Sequence, residues 1–166
     1  MQHKKISVLA MTLFMVFILS VTAVFAANPH FINASAAVDG SGNLVVSWKE
    51  AGLGDNQLID YVASADANGY YACLNGGGKH PQAANKEAFE GPVSGSGSFN
   101  SGKNGQITAS LTVPPPAPTL DCPSGQRLVL ACVTYSNVAL TDTTTPVSAD
   151  IPGSVSRTFF ALPECP

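Results

Sequence analysis

The chain has 166 residues, eight Lys or Arg against eleven Asp or Glu, a formal net charge of −3, and 45% hydrophobic residues. If Lys4 and Lys5 leave with a leader, six basic residues face the same eleven acids. That balance argues against nucleic acid or an anionic membrane surface as partner, and Lys79, His80, Lys86 and Lys103 are too dispersed along the sequence to overturn it.

The first five residues, MQHKK, are followed by an uncharged run from Ile6 to Ala27, the layout of a secretory signal peptide. Val24 and Ala26 place the expected cut after Ala26, with residues 27–166 as a single domain. The alternative is an uncleaved anchor, since the apolar run reaches roughly 33 Å as a helix. The expected location is secreted or extracellular, with no membrane contact once the leader is removed. Asn33-Ala34-Ser35 matches the N-glycosylation sequon, which has meaning only in a eukaryotic secretory host.

Strand-like alternation then recurs. Phe31 to Val38 is a candidate, and in Leu44 to Lys49 the residues Leu44, Val46 and Trp48 share one face. Turn residues bracket this run, Asp39 to Asn43 before it and Gly52 to Asn56 after it. Ile59 to Ala65 and Tyr70 to Leu74 read as two further strands. Gln82 to Phe89 reads as about two turns of helix, and the serine- and glycine-rich stretch 94–102 as a flexible connection. Gln106 to Val113 alternates most cleanly, with Ile107, Ala109, Leu111 and Val113 on one side. Pro114 to Pro118 must end that strand, because proline offers no N–H to a sheet, and it spans ~15 Å as polyproline II, enough to cross between packed sheets. Arg127 to Leu140 and Ser156 to Leu162 complete the set. The expected fold is all-β, a single sandwich of about seven strands with one short helix in the 82–89 loop.

The segments NLVVSWKE and PSGQRLVLACVTYSNV resemble, respectively, the tryptophan strand and the proline-glycine turn leading into the long penultimate strand of an immunoglobulin-like sandwich. More loosely, the chain resembles a fibronectin type III domain. YACLNGGGKHPQAANK is similar to a segment of secreted bacterial proteins of no assigned function and implies no activity.

Cys73, Cys122, Cys132 and Cys165 form an even set without a CxxC pair, which in an exported chain points to two disulfides rather than zinc. Three pairings are open. Folding the strand that ends near Leu140 back onto one starting near Ser154 sets Cys132 opposite roughly position 162. This favours Cys132 with Cys165 and leaves Cys73 for Cys122.

No combination of residues reproduces a catalytic motif. His80 is the one credible base for a nucleophile, and residues 94–102 lack the G-x-S-x-G elbow. NGGGKH lacks phosphate-loop spacing. Glu87 with Glu90 and Asp55 with Asp60 are the local carboxylate pairs, and Asp55, Asn56 and Asp60 offer oxygen ligands for calcium without EF-hand spacing. The residues favour a binding, surface or matrix role over catalysis, with no cofactor or metal. Asn75, Lys79, His80, Asn85 and Lys86 are the contact candidates, and an uncharged glycan or a protein surface is the expected partner class. The rivals are a small secreted hydrolase using His80 or a carboxylate pair, and a protease inhibitor presenting the 75–86 loop.

Overall fold

Residues 44–51 alternate because one side of the strand they form is the inside of a sandwich. A computed structural model of the chain describes residues 28–75 and 85–165. Among the described residues there are eight strands: β1 (His30–Val38), β2 (Leu44–Ala51), β3 (Leu58–Asn75), β4 (Lys86–Asn100), β5 (Gln106–Val113), β6 (Gln126–Asp142), β7 (Val147–Ile151) and β8 (Val155–Thr158). The three-stranded sheet runs β1-β2-β5; the five-stranded sheet runs β4-β3-β6-β7, with β8 also on β6. Every pairing is antiparallel. The proline run joins β5 of one sheet to β6 of the other, so it makes the crossing expected of it.

The core follows the period of two. Leu44, Val46 and Trp48 from β2, Ile107, Leu111 and Val113 from β5, Ile59, Tyr61, Ala63 and Ala65 from β3, and Val133, Tyr135 and Leu140 from β6 form one buried cluster. Tyrosines of the larger sheet also reach across the molecule with hydrogen bonds. Tyr61 Oη donates to Glu50 Oε2 at 2.6 Å, Tyr135 Oη donates to the Gly42 carbonyl in the β1–β2 turn at 2.8 Å, and Tyr71 Oη donates to the Pro116 carbonyl in the crossing at 2.8 Å. Each supplies the partner that a buried phenol needs.

Several expectations are corrected. Residues 58–75 are one continuous strand, not two; at Gly69 a Cβ would lie 2.2 Å from the Cys132 carbonyl oxygen, so glycine permits the close approach of β6 rather than breaking the strand. Of the expected helix over 82–89, 82–84 lie outside the described residues, and residues 86–89 belong to β4 and are not helical. Their alternation against β3, with Phe89 packed on the core, overrides a weak helical propensity. The stretch 94–100 is strand as well, and Ser101 is buried, its Oγ donating to the Gly54 carbonyl at 2.6 Å and accepting from the Gln57 amide at 2.9 Å. The strands β4 and β7 raise the number to eight.

One pole of the core is polar. Glu50 is 0% exposed; its Oε2 accepts the Tyr61 bond, and its Oε1 has no hydrogen-bond partner among the described residues. Burial, with a smaller push from the Asp142 carboxylate, outweighs the Tyr61 hydroxyl and the His30 side chain and raises the Glu50 pKa above its ordinary 4.5. A carboxyl whose folded pKa is raised holds full stability below its unfolded value and loses stability as pH rises through the folded value. Replacing Glu50 with Gln, which keeps an acceptor for Tyr61, is expected to raise the melting temperature by a few degrees at neutral pH. The gain disappears on acidification below the ordinary carboxyl range; thermal denaturation across that pH span checks it.

Candidate functional site

The candidate loop leaves β3 at Asn75 and returns at Asn85, and its base is tied in several independent ways. Cys73 is bonded to Cys122, and Cys132 to Cys165. Cys132 lies opposite Thr158 rather than position 162, because the β6–β7 turn is tighter than the arithmetic assumed. Cys165 therefore reaches Cys132 from the segment that follows β8. That segment forms a strap, in which Leu162 buries itself against Ala72 and Ala131 with Phe160 and Tyr70 beside it. The amides of Phe159 and Phe160 both donate to the Ala131 carbonyl.

Of the five contact candidates, Asn75, Asn85 and Lys86 fall among the described residues; Lys79 and His80 lie outside them. Asn75 is the last residue of β3 and pairs with Gln126 of β6. Asn85 donates from Nδ2 to Gln126 Oε1 at 3.3 Å, and its carbonyl accepts from the Cys73 amide at 3.0 Å. The two asparagines therefore meet at one glutamine. Lys86 makes an ion pair with Glu164 of the strap. All three hold the base of the loop.

Of the carboxylates proposed as acid-base pairs, Glu87 and Glu90 are not arranged as such. Successive β4 residues alternate faces, so Glu87 and Glu90 point to opposite sides of the sheet. Glu87 accepts from the Leu120 amide at 2.7 Å and from both the amide and the hydroxyl of Thr119. These bonds, the Thr119 hydroxyl first among them, hold its pKa below the ordinary range, and they pin the end of the proline crossing beside the loop. Asp60 accepts from Ser98 Oγ at 2.5 Å, and Asp55 sits in the turn before β3.

A second arrangement escaped the sequence reading. The outer face of the β3–β4 hairpin carries three shallow hollows in a row. The first, about 350 Å³, is lined by Asn68, Tyr70, Ala88, Glu90 and Glu164 of the strap. The second, about 370 Å³, has Ser64, Asp66, Pro92, Ser94 and Asn137. The third, about 250 Å³, has Asp60, Val62, Ser96, Ser98 and Thr143. Asn137 Nδ2 donates to Asp66 Oδ2 at 2.8 Å, and Asn137 itself has φ 50° where β6 carries an extra residue against β3. The available signal was the spacing Ser94, Ser96, Ser98, which on a strand puts three hydroxyls on one face.

Among the described residues no group of three or more His, Cys, Asp or Glu side chains is placed to hold a metal, and no helix is long and apolar enough to cross a membrane. No protein-family model matches the chain, and neither a curated protein nor a solved structure matches it.

Proposed function

We propose that this protein is a secreted binding module of fibronectin type III-like architecture, a disulfide-stabilised frame that presents the 75–86 loop and the adjoining sheet face. The observation that carries this reading is the base of the loop. A disulfide, an ion pair and a shared glutamine converge there, more restraint than a turn needs merely to connect two strands. The apolar leader and the two disulfides support export to an oxidising compartment. Strand order supports the type III likeness. In immunoglobulin constant domains the fourth strand lies with the first, second and fifth, whereas here β4 pairs β3 in the other sheet, the arrangement of type III domains.

The partner is a glycan or a protein surface rather than a polyanion, given the excess of acidic residues. Pull-down of extracellular polysaccharides and proteins by the purified protein is expected to recover a ligand. Recovery is expected to fall several-fold when Lys79 and His80 are both replaced by Ala, with the thermal transition unchanged. Failure of the parent protein to retain any ligand in such a panel overturns the reading.

A further inference from the structure

The three hollows share a spacing and a chemistry. Their midpoints on β3 fall at Gly69, Ala65 and Tyr61, four residues or ~13 Å apart on a strand. The row is thus a track that runs roughly 30 Å along the strands, on an outer face where β4 contributes Glu90, Pro92, Ser94, Ser96 and Ser98. Each hollow contains a carboxylate next to hydroxyl or amide groups: Glu90 with Asn68, Asp66 with Ser64 and Asn137, and Asp60 with Ser98 and Thr143. Among the described residues no lysine or arginine lines any of them, although Glu164 in the first hollow is paired with Lys86. At the strap end, Tyr70 lines the first hollow while also packing on the Leu162 cluster, so the wall there is fixed in place.

This composition selects among partners. Protein interfaces are enriched in aromatic residues, Met and Arg, and depleted in Ser, Asp, Glu and Ala; the track has the depleted set. Its hydroxyls and amides instead match a ligand rich in hydroxyl groups, and Asp60, Asp66 and Glu90, one in each hollow, match one that carries positive charge at intervals. The first hollow, with Tyr70 as one wall and a few convergent polar groups, suits a single ring unit, and a row of hollows along the strands suits an extended polymer.

We infer that the outer face of the β3–β4 hairpin binds an extended glycan of amino sugars, whose ring hydroxyls meet Ser64, Ser94, Ser96 and Asn68 and whose ammonium groups meet Asp60, Asp66 and Glu90. The inference rests on the binding-module reading and assigns the ligand class to the sheet face beside the loop.

The test is retention of the oxidised full-length protein in mildly acidic buffer on three beads: chitosan, whose sugars carry free amines; chitin, the acetylated neutral form; and polylysine. Retention is expected on chitosan, with much less on chitin or polylysine. Asp66→Asn combined with Glu90→Gln is expected to weaken chitosan binding about tenfold. Asp55→Asn combined with Asp121→Asn changes net charge equally, at exposed positions away from the track, and is expected to leave binding unaltered. Equal loss in both pairs would show attraction to overall charge alone and overturn the inference, as would equal retention on chitin or on polylysine. If the Lys79 and His80 variant loses chitosan while the Asp66 and Glu90 variant keeps it, the track is wrong and the loop reading stands. If the parent protein binds neither these beads nor any other extracellular ligand, both fall.

Discussion

Replacing Cys132 and Cys165 together with Ser is expected to remove about 4 kcal/mol of stability, and replacing Cys73 and Cys122 together about the same. The bridges span sequence separations of 33 and 49 residues, and because the entropy of closing a loop grows only with the logarithm of its length, the two values nearly coincide. For a domain of this size each loss corresponds to roughly 12 to 16 °C in melting temperature. The variants differ in what comes loose. Without Cys132–Cys165 the strap is held by Leu162, Phe160 and the Lys86–Glu164 pair, and a protease is expected to trim the chain after Phe159 or Phe160 while the sandwich stays intact. Without Cys73–Cys122 the crossing is still anchored by Glu87 and by the Tyr71 hydroxyl, so cleavage is expected near Asp121 instead. Differential scanning calorimetry with mass mapping of limited chymotrypsin and Glu-C digests separates the two cases; equal digestion patterns would contradict the strap as an independent element.

Trp48→Ala is expected to cost about 3 to 5 kcal/mol, the range for emptying a large aromatic site in a packed core. Trp48 is 2% exposed, with ring centroids 4.7 Å from Tyr61 and 5.2 Å from Phe99. Its loss leaves a void between the two sheets where three rings now meet. Trp48→Phe provides the informative comparison. Among the described residues the buried indole N–H has no hydrogen-bond partner, although it lies close enough to the Tyr61 hydroxyl to oppose the strong upward push that burial and Glu50 exert on that group's pKa. Phenylalanine removes the unpaired donor and keeps most of the apolar contact. It is therefore expected to cost about 1 kcal/mol or less, because the relief of an unsatisfied group offsets part of the lost volume. Urea denaturation of the pair measures the difference. A Phe variant as unstable as the Ala variant would mean that the N–H contributes to the fold after all.

The strands legible in the sequence were those whose two faces differ. β2 and β5 are buried on one side only, so Leu44, Val46 and Trp48, or Ile107, Leu111 and Val113, stand out against Ser, Lys and Thr, and β5 spans the same residues, 106–113, that its alternation predicted. β4 hid because its inward positions include glycines. At Gly97 a Cβ would come within 2.8 Å of Leu111 Cδ2, so a position that packs tightly against the other sheet looks, in one dimension, like a linker. β3 was split at Asp66, Asn68 and Gly69 because two polar residues on its outer face and one glycine on its inner face imitate a turn. The site divided along similar lines. Residues around the loop were visible as a cluster in sequence, whereas the track assembles Asp60, Asp66 and Asn68 with Ser94, Ser96 and Asn137 through strand register, of which local spacing encodes only the alternation of Ser94, Ser96 and Ser98.

The Cys132–Cys165 bridge also sets how the molecule would bear load. A pull on the chain beyond Cys165 does not act first on β8 and β7, the short strands that would otherwise peel away in turn. The covalent link carries the force straight to Cys132 in the long strand β6, which is paired along its length with β3. The 33-residue separation closed by the bridge is thereby mechanically silent: it can neither lengthen nor unravel under tension while the disulfide is intact. Reduction would turn the same segment into slack.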